Sequence, residues 1–268
     1  MSFSLRFMQA GDLPAGLALV ETAGWNQRER DWRLFLDRNP RGVLAAEHEG
    51  RVIGTAATLD YGPFAWISMV LVEPAARGRG VGTALLEGAL AILKDSPCVR
   101  LDATPLGEPV YRKMGFVDEY AIERWERPAG AIEPRGKAQP LEDLRAIAAL
   151  DAGAFGADRA WLLEWLREGA PALAWRAAGG FALGREGRRF THIGPVMAAD
   201  EETARALITA ALHAARGRAA VIDIPAAKAG VAAALGFARQ RPLLRMRLGR
   251  PAPLLDPCVC AIAGPELG

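Results

Sequence analysis

Lysine is scarce in this chain: among 33 basic residues only Lys94, Lys113, Lys137 and Lys228 are lysines, and the net charge over 268 residues is +2. Charges of both signs are mixed along the sequence, whereas a nucleic-acid binder gathers its basic residues on one element. No nucleic-acid partner is therefore expected. Cysteine is as rare. Cys98, Cys258 and Cys260 cannot build a disulfide framework, which fits a reducing cytoplasm. Cys258-Val-Cys260 has the spacing of a metal or redox pair, but no histidine or further cysteine stands near it. His48, His192 and His213 are scattered without ligand spacing, so no metal is expected. No apolar run reaches the roughly 18 residues of a membrane span, and the first residues lack the basic-then-apolar pattern of a leader. The expectation is a soluble cytoplasmic protein with no membrane partner. Apolar residues make up 51%, ample for the cores of two domains of ordinary size.

What is present is a glycine-rich turn in a telling place. The apolar segment Ala65-Trp66-Ile67-Ser68-Met69-Val70-Leu71-Val72 reads as a strand, closed by Glu73-Pro74. Arg77-Gly78-Arg79-Gly80-Val81-Gly82 follows, and Thr83–Leu93 then carries apolar residues at 85/86, 89/90 and 93, which is helical spacing. A turn of this kind leaves backbone N–H groups at the helix start without intrahelical partners, where the helix dipole adds partial positive charge. It is an anion site, and phosphate is the usual anion. Two arginines and missing β-carbons let a diphosphate approach the backbone closely.

The remaining pattern alternates strands and helices. A strand at Phe3–Met8 precedes a helix that Asp12 can cap, and a second helix over about 29–37 carries Trp32, Phe35 and Leu36. Val43–His48 and Arg51–Leu59 form a hairpin across Glu49-Gly50. After the glycine turn come a strand at Cys98–Ala103, a short helix at Glu108–Met114 ended by Gly115, and a strand at Phe116–Trp125. Pro128, Gly130, Pro134, Gly136 and Pro140 then mark a linker. Beyond it the order restarts, with helices near 141–150 and 158–168, strands near 172–177, 180–186 and 189–197, a helix at 201–214, a strand at 219–224, a helix at 226–235 and a strand at 238–247. Pro251, Pro253, Pro257 and Pro265 make the last residues read as an irregular tail. Trp161, Leu162 and Trp165 have amphipathic spacing and read as core.

The second half repeats the first. Val99–Phe116 lies over Ala220–Phe237 without a gap: Asp102 meets Asp223, Val110 meets Val231, and Gly115-Phe116 meets Gly236-Phe237. Extending that spacing upstream lays Pro74 on Pro195 and the glycine turn on Ala198–Thr203. The matching element order predicts a duplicated fold.

These residues resemble the GCN5-related N-acetyltransferase superfamily. Its signature is a strand ending V-x-P, then Q/R-x-x-G-x-G/A opening a helix, then a Tyr ahead of G-F. Here these stand as Val72-Glu73-Pro74, Arg77–Gly82, and Tyr111 ahead of Gly115-Phe116. The resemblance implies an α/β (α+β) fold of two tandem acyl-CoA N-acyltransferase domains, each a central mixed, mostly antiparallel sheet with flanking helices. The first, catalytic domain covers 1–127, a linker 128–138, a degenerate copy 139–249 and the tail 250–268. It further implies acetyl-CoA as cofactor and direct transfer of acetyl to a primary amine, on a small molecule or a peptide. Val70, Leu71 and Val72 would pair with the cofactor's pantetheine arm. Arg77, Gly78, Arg79, Gly80, Val81, Gly82 and Thr83 would hold its pyrophosphate. Tyr111 would protonate the departing thiolate, and strand N–H groups near Val70 would stabilise an oxyanion. Trp25 and Asn26 lie where relatives line the acceptor site.

Departures from the pattern are specific. Relatives often carry an Asn seven residues before the Tyr; Thr104 stands here and replaces one hydrogen bond only. The Glu that some relatives use as base is Val99 here, leaving Glu47, Asp60, Asp102 or a water chain as candidates and the base unassigned. In the second half Tyr111 lies over Ala232, and Asp200-Glu201-Glu202 lie where the anion would dock, so that half is expected to bind no CoA and to shape or cover the acceptor pocket. A dinucleotide-binding reading fails on spacing, since Thr83 stands where a third glycine belongs. A non-catalytic acyl-CoA sensor or scaffold is the alternative from another class. Because a second copy can occupy a dimer partner's surface, a monomer is favoured over a homodimer.

Overall fold

Glu49 and Gly50 both sit at positive φ (49° and 74°) and join strands β2 (Val43–His48) and β3 (Arg51–Asp60) as the sequence pattern requires. In the computed structural model, which describes residues 2–251 and 255–268, the chain divides into two compact units. One is Met1–Leu101 with Leu248–Arg250; the other is Asp102–Arg247 with Pro251–Gly268.

In the first unit, β1 (Ser4–Phe7), β2, β3, β4 (Ala65–Val72) and β5 (Cys98–Ala103, through which the boundary passes) lie side by side in that order. The β1–β2, β2–β3 and β3–β4 pairs are antiparallel, while β4 and β5 run parallel. Helices α1 (Leu13–Thr22), α2 (Glu29–Arg38) and α3 (Val81–Ile92) cover the sheet. Trp32 and Phe35 of α2 are fully buried, with ring centroids 6.4 Å apart. Leu34, rather than Leu36, completes that buried face. The expected cap of α1 is corrected: the Asp12 carboxylate accepts from the Gln9 N–H (2.8 Å) and from Arg6 (2.7 and 2.9 Å), and caps the single turn before the helix instead.

The second unit contains α4 (Glu108–Lys113), β6 (Val117–Arg127), β7 (Gln139–Pro140), α5 (Arg145–Phe155), α6 (Ala160–Gly169), β8 (Trp175–Ala177), β9 (Gly180–Glu186), β10 (Thr191–Ala198), α7 (Glu201–Ala214), β11 (Ala220–Pro225), α8 (Ala229–Ala234), β12 (Ala238–Gly249) and β13 (Val259–Ala261). Its strand order is β12-β6-β11-β10-β9-β8-β7, with β13 added to β10. Ile193, Val196, Leu207, Ile208, Ile222, Ile224, Val231 and Phe237 form its apolar core. On α6, Leu162 is buried with Leu163 and Leu166, while Trp161 and Trp165 flank them half-buried. The β11–α8–β12 succession reproduces β5–α4–β6. Yet β6 lies antiparallel between β11 and β12, both from the second half of the sequence. That is why β6 belongs to the second unit.

Two sequence expectations are corrected by strand register. Ala65 pairs with Val99, and Thr191 pairs with Ala220. Since Val99 and Ala220 are aligned residues, β4 and β10 correspond from Ala65/Thr191 to Val72/Ala198, and Pro74 does not match Pro195, which lies inside β10. Residues 73–80 separate β4 from α3, whereas only 199 and 200 separate β10 from α7. The glycine turn is thus deleted from the second repeat, not merely substituted. The second correction concerns 250–268, expected to be irregular. Residues 252–254 fall outside the described residues, but Val259–Ala261 is a buried strand on β10. Its apolar run is too short to register between the prolines.

Candidate active site

Strand β4 is bent at its middle. Its register with β3 shifts between Thr55 and Ala57, and Met69 takes φ 51°, its carbonyl accepting from the Thr55 hydroxyl at 2.9 Å. Such a bulge re-aims the residues that follow. Glu73 N–H donates to Ile53 O at 2.8 Å, so by the alternation of an antiparallel ladder Leu71 also faces β3. Val70 and Val72 turn their peptide groups the other way. Parallel pairing with β5 is confined to Ala65↔Val99 and Trp66↔Arg100, and β4 continues to Val72 beyond it. Of the three strand residues singled out from sequence, Val70 and Val72 are therefore aimed away from β3, whereas Leu71 departs from the expectation by turning its peptide groups toward β3.

The turn that follows is shaped by two glycines. Gly78 (φ 71°) and Gly80 (φ 83°) are left-handed, a conformation costing other residues about 1–2 kcal/mol. A β-carbon on either would meet nothing within 4 Å, so backbone conformation, not crowding, selects glycine there. Gly80 is the N-cap of α3, and no side chain caps it. The first intrahelical bond runs from Ala84 N–H to Gly80 O (2.9 Å), leaving the N–H groups of Val81, Gly82 and Thr83 as helix-opening donors. Arg77, Gly78, Arg79, Gly80 and Thr83 are exposed, while Val81 anchors the turn in the core. Arg77 Nε donates back to Val72 O at 3.1 Å, tying the turn to the strand edge. Exposed amides, the positive end of a helix dipole and two arginines together suit a diphosphate.

The corresponding helix start of the second repeat is already filled. Asp200 caps α7, its carboxylate accepting from Thr203 N–H at 2.7 Å, and Glu201 and Glu202 add charge to the first turn. The Thr203 hydrogen bonds hold the Asp200 carboxyl below the usual carboxylate range.

Tyr111 and Thr104 fall in the second unit. Tyr111 sits on α4, half-buried, its ring against Gly107 and 5.9 Å from the Phe116 ring. Burial pushes its phenol up to about 12, so it stays protonated at neutral pH. Thr104 closes the turn into α4: Gly107 N–H donates to its hydroxyl (3.3 Å) and to its carbonyl (2.9 Å). Each candidate carboxylate has a partner. Glu47 accepts from Arg6 Nε at 2.6 Å, Asp60 from Gly62 N–H at 2.8 Å, and Asp102 from Arg245 at two points, both 2.8 Å.

In the first unit, Trp25 is half-buried and Asn26 is buried in the loop joining α1 to α2. Sequence reasoning missed Gln27 beside them and Ser68 on β4. Gln27 Oε1 and Ser68 Oγ are buried with no hydrogen-bond partner. No spacing rule marks them, because only tertiary burial makes an unpaired polar atom notable. Cys98, Cys258 and Cys260 are free thiols; burial raises Cys258 to about 12 and raises Cys260 as well, the opposite of what a thiolate ligand needs. Among the described residues no three His, Cys, Asp or Glu side chains group as a metal site, and no helix is long and apolar enough to cross a membrane.

A model described as the Acetyltransferase (GNAT) family matches residues 16–116, and one described as an Acetyltransferase (GNAT) domain matches 147–256. The chain is 25% identical over 220 residues to an uncharacterized N-acetyltransferase, YitH, of Bacillus subtilis (strain 168), covering 78% of this chain and 77% of that one. In fold it is similar to a putative acetyltransferase of Pyrococcus horikoshii (TM-score 0.87, 24% identity, 99% and 96% of the two chains). It is also similar to a GCN5-related N-acetyltransferase of Sphaerobacter thermophilus (TM-score 0.67, 18% identity, 94% and 98%).

Proposed function

Because this chain belongs to the GCN5-related N-acetyltransferase superfamily, an acyltransferase with two domains of that kind in tandem, we propose that its first repeat moves an acetyl group from acetyl-CoA directly to a primary amine. The observation that carries the reading is the uncapped, glycine-opened start of α3 beside the bulged edge of β4. Acetyl-CoA, when bound, supplies an activated thioester. The backbone from Gly78 to Thr83, with Arg77 and Arg79, holds the diphosphate. Val70 and Val72 offer strand-type hydrogen bonds to the amide-bearing arm, and the Val70 N–H stabilises developing negative charge on the acyl oxygen. Tyr111 Oη, protonated at neutral pH, holds the proton destined for the departing sulfur. Positioning contributes most of the rate, about 7–11 kcal/mol at best in such systems. Thr104 adds one hydrogen bond to the cofactor.

Residues 1–127 form the catalytic repeat in this reading, 128–138 the linker, and 139–249 a copy that binds no CoA and shapes or covers the acceptor pocket. The acceptor is a small-molecule or peptide amine that passes Trp25 and Asn26, and the chain acts as a monomer. Isothermal calorimetry with acetyl-CoA, followed by a thiol-release screen over an amine panel, tests the proposal. Saturable binding with turnover of at least one amine is expected. No heat and no saturable uptake of acyl thioester would sink it, and binding without turnover across the panel would leave a sensor.

A further inference from the structure

We propose that residues 258–268 are a built-in peptide ligand of the second repeat, lying where the first repeat holds the cofactor arm and its acceptor. The inference rests on the reading of the β4 edge given above. It begins with β10 and β11, which pair only at Thr191↔Ala220 and His192↔Val221. Past the bulge between Ile193 and Val196, β10 pairs instead with β13: Val196↔Ala261 and Met197↔Val259. Ala198 N–H donates to Cys258 O at 2.8 Å, and Ile262 N–H donates to Asp223 O of β11 at 3.0 Å. The segment therefore bonds to both strands where their own pairing has ended. By the strand correspondence established above, Val196–Ala198 is the second repeat's version of Val70–Val72.

The fit is tight. A β-carbon on Gly194 would lie 2.0 Å from Ile262 O, so only glycine lets the segment pass. Val259, Cys260, Ala261, Ile262 and Ala263 are all buried. Farther on, the Glu266 carboxylate pairs with Arg185 of β9, both buried. Gly268 O then accepts from Arg159 Nη1 at 3.0 Å, while the same guanidinium grips Asp151 at two points of 2.9 Å. Arg159 opens α6 as Arg28 opens α2, so Gly268 lies against the loop that corresponds to Trp25–Arg28. At the phosphate end the turn is deleted and Asp200 occupies the helix start. The cleft of the duplicated fold has been kept, and a peptide has replaced the thioester in it, by strand addition.

Hydrogen exchange on the full chain, read by mass spectrometry with and without acetyl-CoA, tests this beside calorimetric stoichiometry. Amides of 258–263 should exchange at least about a hundredfold more slowly than in a free peptide of that sequence. Saturating acetyl-CoA should add protection at 70–83 and none at 196–203 or 258–263, with one molecule bound per chain. Fast exchange at 258–263 in the free protein overturns the proposal whether or not acetyl-CoA binds. So does added protection at 196–203, release of 258–263 by acetyl-CoA, or a stoichiometry of two. Failure of acetyl-CoA to bind, with 258–263 protected, defeats the first-repeat reading while still supporting the built-in peptide. Gly194→Ala should raise exchange across 258–263 at least tenfold and leave 70–83 unchanged. The milder Ile262→Ala should do the same to a smaller extent, and unchanged exchange in a folded variant counts against the contacts named here.

Discussion

Arg245 grips Asp102 at two points, 2.8 Å each, in the same two-point manner by which Arg124 grips Asp223 at 2.8 and 2.7 Å. The spacing that lays Asp102 on Asp223 also lays Arg124 on Arg245. Each repeat therefore lends its arginine, from β6 or β12, to the other repeat's aspartate. The copies have exchanged their closing strands, and a reciprocal pair of buried ion pairs fixes the exchange. Tyr120 supports one of them, its hydroxyl 2.5 Å from Arg245 Nη1. In this way Asp102, a candidate base on sequence, is committed to structure.

Removing one partner of such a pair strands a buried charge. Asp223→Ala, which leaves the buried Arg124 and His192 facing each other, should destabilise the protein by about 3–5 kcal/mol. Arg124→Met with Asp223→Leu together should cost clearly less than the sum of the single changes. Urea denaturation of the wild type, Asp223→Ala, the Arg124→Met and Asp223→Leu single variants and their double variant decides it, and simple additivity within the cycle would show the two residues to be independent.

The same cluster predicts an acid-side loss of stability. Burial lowers the His192 pKa below its usual 6.5; the Asp223 hydrogen bond opposes this, and the Arg185 and Arg124 charges reinforce it. As pH falls through about 6.5, the unfolded chain takes up a proton that the folded one refuses, so stability must fall. One proton gives at most about 1.4 kcal/mol per pH unit. His192→Gln keeps a donor for Asp223 and should flatten stability against pH between 6.5 and 5 by up to that slope. An unchanged slope would mean that His192 takes up its proton equally in the folded and unfolded chains.

At the glycine turn, Gly80→Val should affect binding more than folding. The position is exposed and its β-carbon would meet nothing, so the expected destabilisation is the left-handed penalty of about 1–2 kcal/mol. Acetyl-CoA affinity should drop at least tenfold, because the helix-opening amides are re-aimed. Calorimetry beside a thermal melt separates the two effects; a variant that binds normally would remove the turn from the site.

Tyr111→Phe should lower kcat by roughly 10²-fold or less, while the Kd for acetyl-CoA stays nearly constant. With the phenol pushed up to about 12, deprotonation of this acid sets no descending limb in kcat below about pH 11. A limb centred near pH 9 that disappears in Tyr111→Phe would keep Tyr111 as the acid but refute its raised pKa, whereas unchanged turnover would remove it from the mechanism.

Much of this was legible in the residues alone, because it is written in local rules. Gly78 and Gly80 announce left-handed backbone, alternation and helical spacing announce the elements, and α8 repeats α4 in the aligned place. The strand exchange was not legible, since β6 has the same pattern whether β5 or β11 lies beside it. Nor was the role of 258–268, whose few apolar residues become a strand only because β10 presents an edge after its bulge. The offset that aligned Asp102 with Asp223 misplaced Pro195, because a deleted turn leaves no trace in composition and shows only in register. Backbone conformation and periodicity are properties of neighbours in sequence, and those the sequence determined. Which edge a strand joins, which arginine reaches which aspartate and which polar atom is left unpaired depend on contacts between residues far apart in sequence, 99 and 143 positions for the two arginine–aspartate pairs, and only the folded chain decided them.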